Sequence, residues 1–285
     1  MNAGVSLYSF HEYASDRVQG VKDCIRKAYE MGATGLDFIE VGLSYDDYLS
    51  YAADVRRYCH AVGVEPVCFC TGADFLRCED IKEEIAKVKR NVDIALAYGC
   101  KILRHDISRG FAVGDERTYD DAIEIVAPAA REIACYAEER GIVTCTENHG
   151  FFSQDSDRVE KLILAVNEKN FGALVDIGNF ACSDADHAYA VGVMAPYAFH
   201  AHAKDFHKKS GNGPFFCDGF FKTRGGTYLR GAIIGHGDVP VYQCLSTLVA
   251  NGYDGFVTVE FEGIEDQITG TTYGLNTLKK IFSTL

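Results

Sequence analysis

The sequence predicts an α/β protein, a single (β/α)8 TIM barrel with one long loop after its seventh strand, and three observations carry that prediction. Short apolar runs of β character alternate with longer segments of helical periodicity, and the alternation recurs eight times. No Pro- or Ser-rich linker and no break in composition divides the 285 residues, and only five prolines occur. Barrels of about 250 residues form one domain, so residues 1–285 are read as one. The Gly-rich turn that opens a doubly wound nucleotide-binding sheet is missing: GVSLYSFHEYAS holds no GxGxxG, and no GxxxxGK[ST] occurs.

In chain order, the expected strands are GVSLYSF (4–10), TGLDFIEV (34–41), EPVCFCTG (65–72), CKILRHDI (100–107), IVTCTENHG (142–150), FGALVDIGN (171–179), YAFHAHAKDF (197–206) and GFVTVEFEG (255–263). Between them lie amphipathic stretches such as DRVQGVKDCIRKAYEMG, CEDIKEEIAKVKRNVDIALAYG and DAIEIVAPAAREIACYAEERG. Their apolar residues recur at three and four, and a closing Gly fits a helix C-cap. The rhythm breaks once, between residues 207 and 235, in a Gly- and aromatic-rich segment carrying Lys208, Lys209, Lys222, Arg224 and Arg230. Long loops at this end of a barrel build sites, but a solvated or subunit-contact loop fits as well, and length does not decide.

Composition narrows the function classes. With 28 Lys and Arg against 41 Asp and Glu, the formal charge is −13, which opposes a nucleic-acid partner. No uncharged apolar run approaches the roughly 18 residues of a membrane span, and the first residues lack the basic region of an export signal. Eleven cysteines, an odd number without zinc-finger spacing, read as small core residues in a reducing cytoplasm. Cys68 and Cys70, two apart in one strand, fall on the same face.

Four ionisable residues stand near the C-terminal ends of four successive expected strands: Glu147 in TENHG, Asp176 in VDIGN, His202 in HAHAKD and Glu260 in TVEFEG. A barrel converges those ends on one mouth. Three carboxylates gathered there repel unless a cation lies between them, and a divalent metal is the economical solution. Oxygen-rich ligation with one imidazole suits Mn2+, Mg2+ or Co2+, and Zn2+ less exclusively. His200 shares parity with His202, and Glu262 with Glu260, so alternation alone does not separate them.

These same segments (ENHG, VDIGN, HxHxKD, GHGDVP and NGYDGFVTVEFEG) resemble the xylose isomerase-like TIM barrel superfamily, in particular its sugar phosphate isomerase/epimerase branch, over nearly the whole chain. The resemblance implies one divalent metal ion held by Glu147, Asp176, His202 and Glu260, and His200 and Glu262 are read as supporting those ligands or as hydrogen-bonded deeper in the barrel. It implies isomerisation or epimerisation of a sugar or sugar phosphate by proton abstraction next to a carbonyl, the metal stabilising the enediolate and Glu147 and Glu260 trading the proton as base and acid.

Glu40, His105, His149, Asn179, Lys204 and His236 are the expected substrate-binding residues. His149 also offers an alternative base, and Arg104 or Asp106 a rim ion pair. Lys204 departs from the ketose 3-epimerase pattern, which counts against a free ketose as substrate. Two other readings share the ligand set: a lyase or dehydratase acting on a keto-sugar, inosose or 3-oxo-glycoside, and a non-catalytic sugar-binding subunit. The expected partner is a small carbohydrate, with a homo-oligomer compatible with the chain.

Overall fold

Alternating apolar runs close on themselves when each strand buries one face in a barrel interior and the other beneath a helix. The computed structural model describes residues 1–10, 16–214 and 218–285 and has this architecture. Its elements are β1 (Asn2–Ser6), α1 (Val21–Glu30), β2 (Gly35–Ile39), α2 (Tyr45–Val62), β3 (Glu65–Thr71), α3 (Ile81–Tyr98), β4 (Ile102–His105), α4 (Tyr119–Glu138) and β5 (Val143–Glu147). There follow α5 (Ser156–Val166), β6 (Phe171–Asp176), α6 (His187–Met194), β7 (Ala198–Ala203), β8 (Asp205–Lys209), β9 (Phe221–Lys222), β10 (Tyr228–Ala232), α7 (Val241–Ala250), β11 (Phe256–Val259) and α8 (Gln267–Phe282). Eight parallel strands close in the order β1-β11-β7-β6-β5-β4-β3-β2, so β11 is the eighth stave.

The helices begin and end where local chemistry dictates. Ser44 and Asp80 accept a first-turn backbone N–H at the starts of α2 and α3, and Thr118 and Asp121 form a reciprocal capping box on α4. Gly63 and Gly99, at φ of 91° and 85°, end α2 and α3 in the left-handed conformation. Beneath the helices the main core runs through residues such as Ile25, Val55, Val92, Ile133, Leu162 and Leu248. A separate small cluster includes Cys68, Cys145 and Leu174, and the Cys68 and Cys70 sulfurs lie 3.8 Å apart. All ten cysteines among the described residues are free. Among those residues, no helix is long and apolar enough to cross a membrane.

Two segments differ from the sequence expectation. The first strand starts at Asn2 and stops at Ser6, and Leu7–Phe10 coil into a 3-10 turn. Ser9 Oγ there donates to the Val259 carbonyl at 3.2 Å and accepts from the Phe261 N–H at 3.0 Å, so the chain turns across the end of β11 instead of extending. The excursion at 207–235 is a small antiparallel sheet, β8-β10-β9, apart from residues 215–217, which lie outside the described ones. Asp205 pins both ends of it by accepting the amides of Gly235, Gly237 and Val239. A Cβ at Gly237 would stand 2.1 Å from Asp205 Oδ1, which explains glycine there.

Candidate metal centre

Glu147 and Asp176 are the last residues of β5 and β6, His202 is next to last in β7, and Glu260 directly follows β11. One oxygen or nitrogen from each lies within 4.8 Å of the others. Donors across an ion with bonds of about 2.1–2.3 Å stand roughly 4.2–4.6 Å apart, so the spacing fits a divalent cation. The donor chemistry fits too: His202 Nδ1 and Asp176 Oδ2 are buried without a regular hydrogen bond, facing the Glu260 carboxylate at 3.5 Å and the Lys204 ammonium at 3.1 Å. A metal would satisfy both.

Each ligand candidate is held from behind. Glu147 Oε2 pairs with Arg104 at 2.7 Å, and its Oε1 accepts from Asn179 Nδ2 at 2.8 Å. Asp176 Oδ1 accepts the amides of Gly178 and Asn179, and Asn148 brackets the Asp176 backbone from both sides. Burial, with Glu147 and Glu260 nearby and Lys204 opposing, pushes the Asp176 carboxyl up to about 6. At Glu260 burial favours the neutral acid, yet Lys204 and His202 overcome it and hold the carboxyl well below its ordinary range.

His202 is the hinge between two layers. Its Nε2 and that of His200 both donate to Asp37 Oδ2, at 3.0 and 2.8 Å, and Thr258 Oγ1 donates to the same oxygen at 2.6 Å. Asp37 thereby fixes the His202 ring so that Nδ1 faces the mouth, 3.5 Å from Glu260 Oε2. Burial disfavours charge on this ring, but Glu260, Asp37 and Cys70 raise its pKa well above the ordinary imidazole value.

Lys204 is a second cation in the same cage. Its buried ammonium lies 2.7 Å from Glu260 Oε2, 3.1 Å from Asp176 Oδ2, 2.9 Å from Glu262 Oε1 and 3.1 Å from Asn179 Oδ1. Gly178 permits this approach, since a Cβ there would meet the Lys204 carbonyl at 2.5 Å. Lys204 and Asn179, expected to touch substrate, thus bridge the ligand carboxylates, and Glu262 meets the Lys204 ammonium.

The remaining expected residues divide. Glu40 and His149 line the cavity over the cluster. Glu40 is fixed by the Gly72 amide and Asn91, and His149 Nδ1 pairs with Asp106 at 3.1 Å. Arg104 joins Asp106 to Glu147, forming the rim ion pair. His105 does not line the cavity: fully buried between the rings of Phe75 and Phe171, it lies on the strand face opposite Arg104. Burial lowers its pKa to about 4. His236 is also outside the cavity, exposed on the loop whose amides cradle Asp205. Sequence reasoning missed Asp37; the signal was a lone acid within the apolar run GLDFI, which burial obliges to find a partner.

The model of the xylose isomerase-like TIM barrel family matches residues 25–281. The chain belongs to that family. A curated inosose dehydratase of Lactiplantibacillus plantarum is 27% identical over 129 residues, 44% of this chain and 42% of that protein, so the match spans less than half of the relative. A xylose isomerase-like TIM barrel protein from Mycobacterium smegmatis in complex with magnesium superposes with a TM-score of 0.74 at 16% identity, covering 99% of this chain and 97% of that one. The 3-keto-D-glucoside 4-epimerase of E. coli gives 0.71 at 15% identity, covering 98% and 99%. At such identities the likeness to solved structures shows the barrel.

Proposed function

We propose that this protein is a divalent-metal-dependent isomerase or epimerase that moves a proton at the carbon beside a carbonyl of a keto-sugar or its phosphate. The observation that carries the reading is the cluster of Glu147, Asp176, His202 and Glu260, one ligand atom of each within 4.8 Å of the others, opening into a cavity of about 300 Å3. When bound there, a divalent ion supplies Lewis-acid stabilisation to the charge that develops on the carbonyl oxygen. Three carboxylates and one imidazole favour Mn2+, with Mg2+, Co2+ and Zn2+ as alternatives. All four candidates come from one chain, so the set needs no partner subunit. The free cysteines fit the cytoplasm.

The chain's own groups divide the proton work. Both carboxylates are held at both oxygens: Glu260 by Ser6 Oγ on Oε1 at 3.4 Å and by Lys204 on Oε2 at 2.7 Å, and Glu147 by Asn179 and Arg104. Glu260 takes the proton on one side, and Glu147, with Arg104 against it, returns one on the other. Arg104 keeps its charge despite burial because Asp106 and Glu147 surround it. The pocket's low exposure strengthens each of these interactions.

A second reading, elimination of a β-hydroxyl, is favoured by His149. It stands half-exposed in the cavity, outside the ligand set, with Asp106 on Nδ1, and so is placed to protonate a leaving group. The inosose dehydratase likeness points the same way. Mn2+-loaded protein incubated in D2O with ketoses, their phosphates, inososes and 3-oxo-glycosides tests both. Deuterium entering next to the carbonyl supports the chemistry, and the product separates epimerisation from loss of water. Metal-loaded protein that exchanges none of these substrates contradicts it.

A further inference from the structure

The proton chemistry above uses only the inner cavity. A second chamber, of about 650 Å3, opens beside it between the loops after β3, β4 and β5. The two share Glu40, Gly72, Glu147 and His149 as walls, so one ligand can extend from the metal centre into both.

The outer chamber's charges are largely neutralised from within. Asp74 accepts from Ser108 Oγ at 2.5 Å and from the Leu76 and Arg77 amides; Lys87 pairs with Glu84 at 2.7 Å. The Arg77 guanidinium is taken by the carbonyls of Gly110 and Phe111. No group of cations converges as an anion site requires. Of these three cations, Arg77, Lys87 and Arg109, the Arg109 guanidinium makes neither ion pair nor hydrogen bond among the described residues, and one donor of that kind suits hydroxyl groups.

Phe151 supplies the second observation. Its ring is 46% exposed and lines this chamber, on a residue held at a φ of 63° directly after Gly150 at 77°. Bulky residues rarely adopt that conformation. Gln154 Oε1 accepts its N–H at 2.7 Å, and Arg224, clamped on Asp155 at 2.8 and 2.9 Å, donates to its carbonyl. The strand-7 excursion therefore braces a strained aromatic where glycine would be relaxed. A flat aromatic face beside hydroxyl-binding groups matches a sugar ring, whose C–H face is apolar and whose rim is polar.

We propose that the outer chamber binds a second sugar ring, so that the substrate is a keto-glycoside whose reacting ring lies at the metal centre and whose other ring stacks on Phe151. This rests on the metal-centre reading for the chemistry, but not for the binding.

The test uses full-length Mn2+-loaded protein with three probes: a 3-oxo-hexose, its 6-phosphate, and a disaccharide containing the same 3-oxo-hexose. Wild type and Phe151→Gly, which relaxes the backbone while removing the ring, are compared by deuterium exchange and by saturation-transfer NMR. Wild type should favour the disaccharide over the monosaccharide by about tenfold in kcat/KM, and Phe151→Gly should erase most of that ratio. Saturation should reach the second ring in wild type and not in the variant.

No preference for the disaccharide, or a preference that survives Phe151→Gly, overturns the proposal. So does a preference for the phosphate that Arg109→Ala removes, since the chamber would then take an anion. If no probe exchanges deuterium while saturation of the second ring persists and depends on Phe151, the subsite stands and the proton-abstraction reading fails.

Discussion

Two clusters of side chains able to hold a metal share one histidine in this barrel, and they differ in their access to the mouth. In the deeper one, Asp37 Oδ2 accepts three hydrogen bonds, from His200, His202 and Thr258, and the three residues that could bind metal are sealed from solvent. In the upper one, His202 Nδ1 and Asp176 Oδ2 make no regular hydrogen bond and face Glu260 and Lys204, and a cavity opens above them. Residue type alone makes both look like metal sites. Asp37 Oδ1 and His200 Nδ1 below are likewise without a hydrogen bond, so what separates the two is the cavity, which Glu147, His202 and Glu260 line and Asp37 and His200 do not: the deeper cluster positions, and the upper one can receive an ion.

The upper cluster breaks first under substitution. Replacing Glu147 or Glu260 by Gln should lower turnover about 100- to 10,000-fold, measured by deuterium exchange, since each removes both a ligand and a proton carrier. In the deeper cluster, Asp37→Ala should instead lose about 3–5 kcal/mol of folding stability in urea, because two buried imidazoles lose their anion. Metal affinity should also fall about 10- to 100-fold as the His202 ring loses its orientation. An Asp37→Ala protein of wild-type stability and affinity would make the deeper cluster incidental.

Next in size is an acid effect at His105, which belongs to neither cluster. Its folded pKa of about 4 lies below the unfolded value of about 6.5, so the native state resists a proton the unfolded chain accepts. Stability from this residue is full above about pH 6.5 and falls as the pH drops to about 4, by about 3 kcal/mol. Asp176, raised to about 6, acts in the opposite sense across part of that window, so the comparison is made on metal-loaded protein. His105→Asn, which keeps a donor near the Asp106 carbonyl, should flatten the acid limb of stability measured by urea titration at each pH.

The smallest effect sharpens what Lys204 does. Its ammonium shares Asp176 and Glu260 with the ion, so Lys204→Met should tighten divalent-metal binding about tenfold in a chelator competition. The same variant without metal should melt lower, and metal should raise its Tm more than it raises the wild type's. Unchanged affinity would mean that Lys204 and the metal occupy the cage without competing.

What could be read from the sequence was whatever repeated locally. Strand alternation, helix periodicity and closing glycines gave the barrel, and the strand ends gave Glu147, Asp176, His202 and Glu260 as neighbours. Register between strands was harder to see. His105 and Arg104 are adjacent, and only the pairing of Arg104 with Cys70 on β3 shows which of them faces inward. Asp37 depends on His200, 163 residues away. The GHGDVP motif places its amides on Asp205, and His236 stands outside the cavity. The sheet after β7 rests on antiparallel pairing between short, polar segments, for which residue periodicity carries almost no signal.

The most direct test of the metal centre is the stoichiometry of bound metal, by elemental analysis of protein prepared without chelator and then loaded with Mn2+ or Co2+, beside Asp176→Asn. One ion per chain, lost or greatly weakened in the variant, is the predicted result. Folded wild-type protein that retains no ion and takes up neither metal would contradict it.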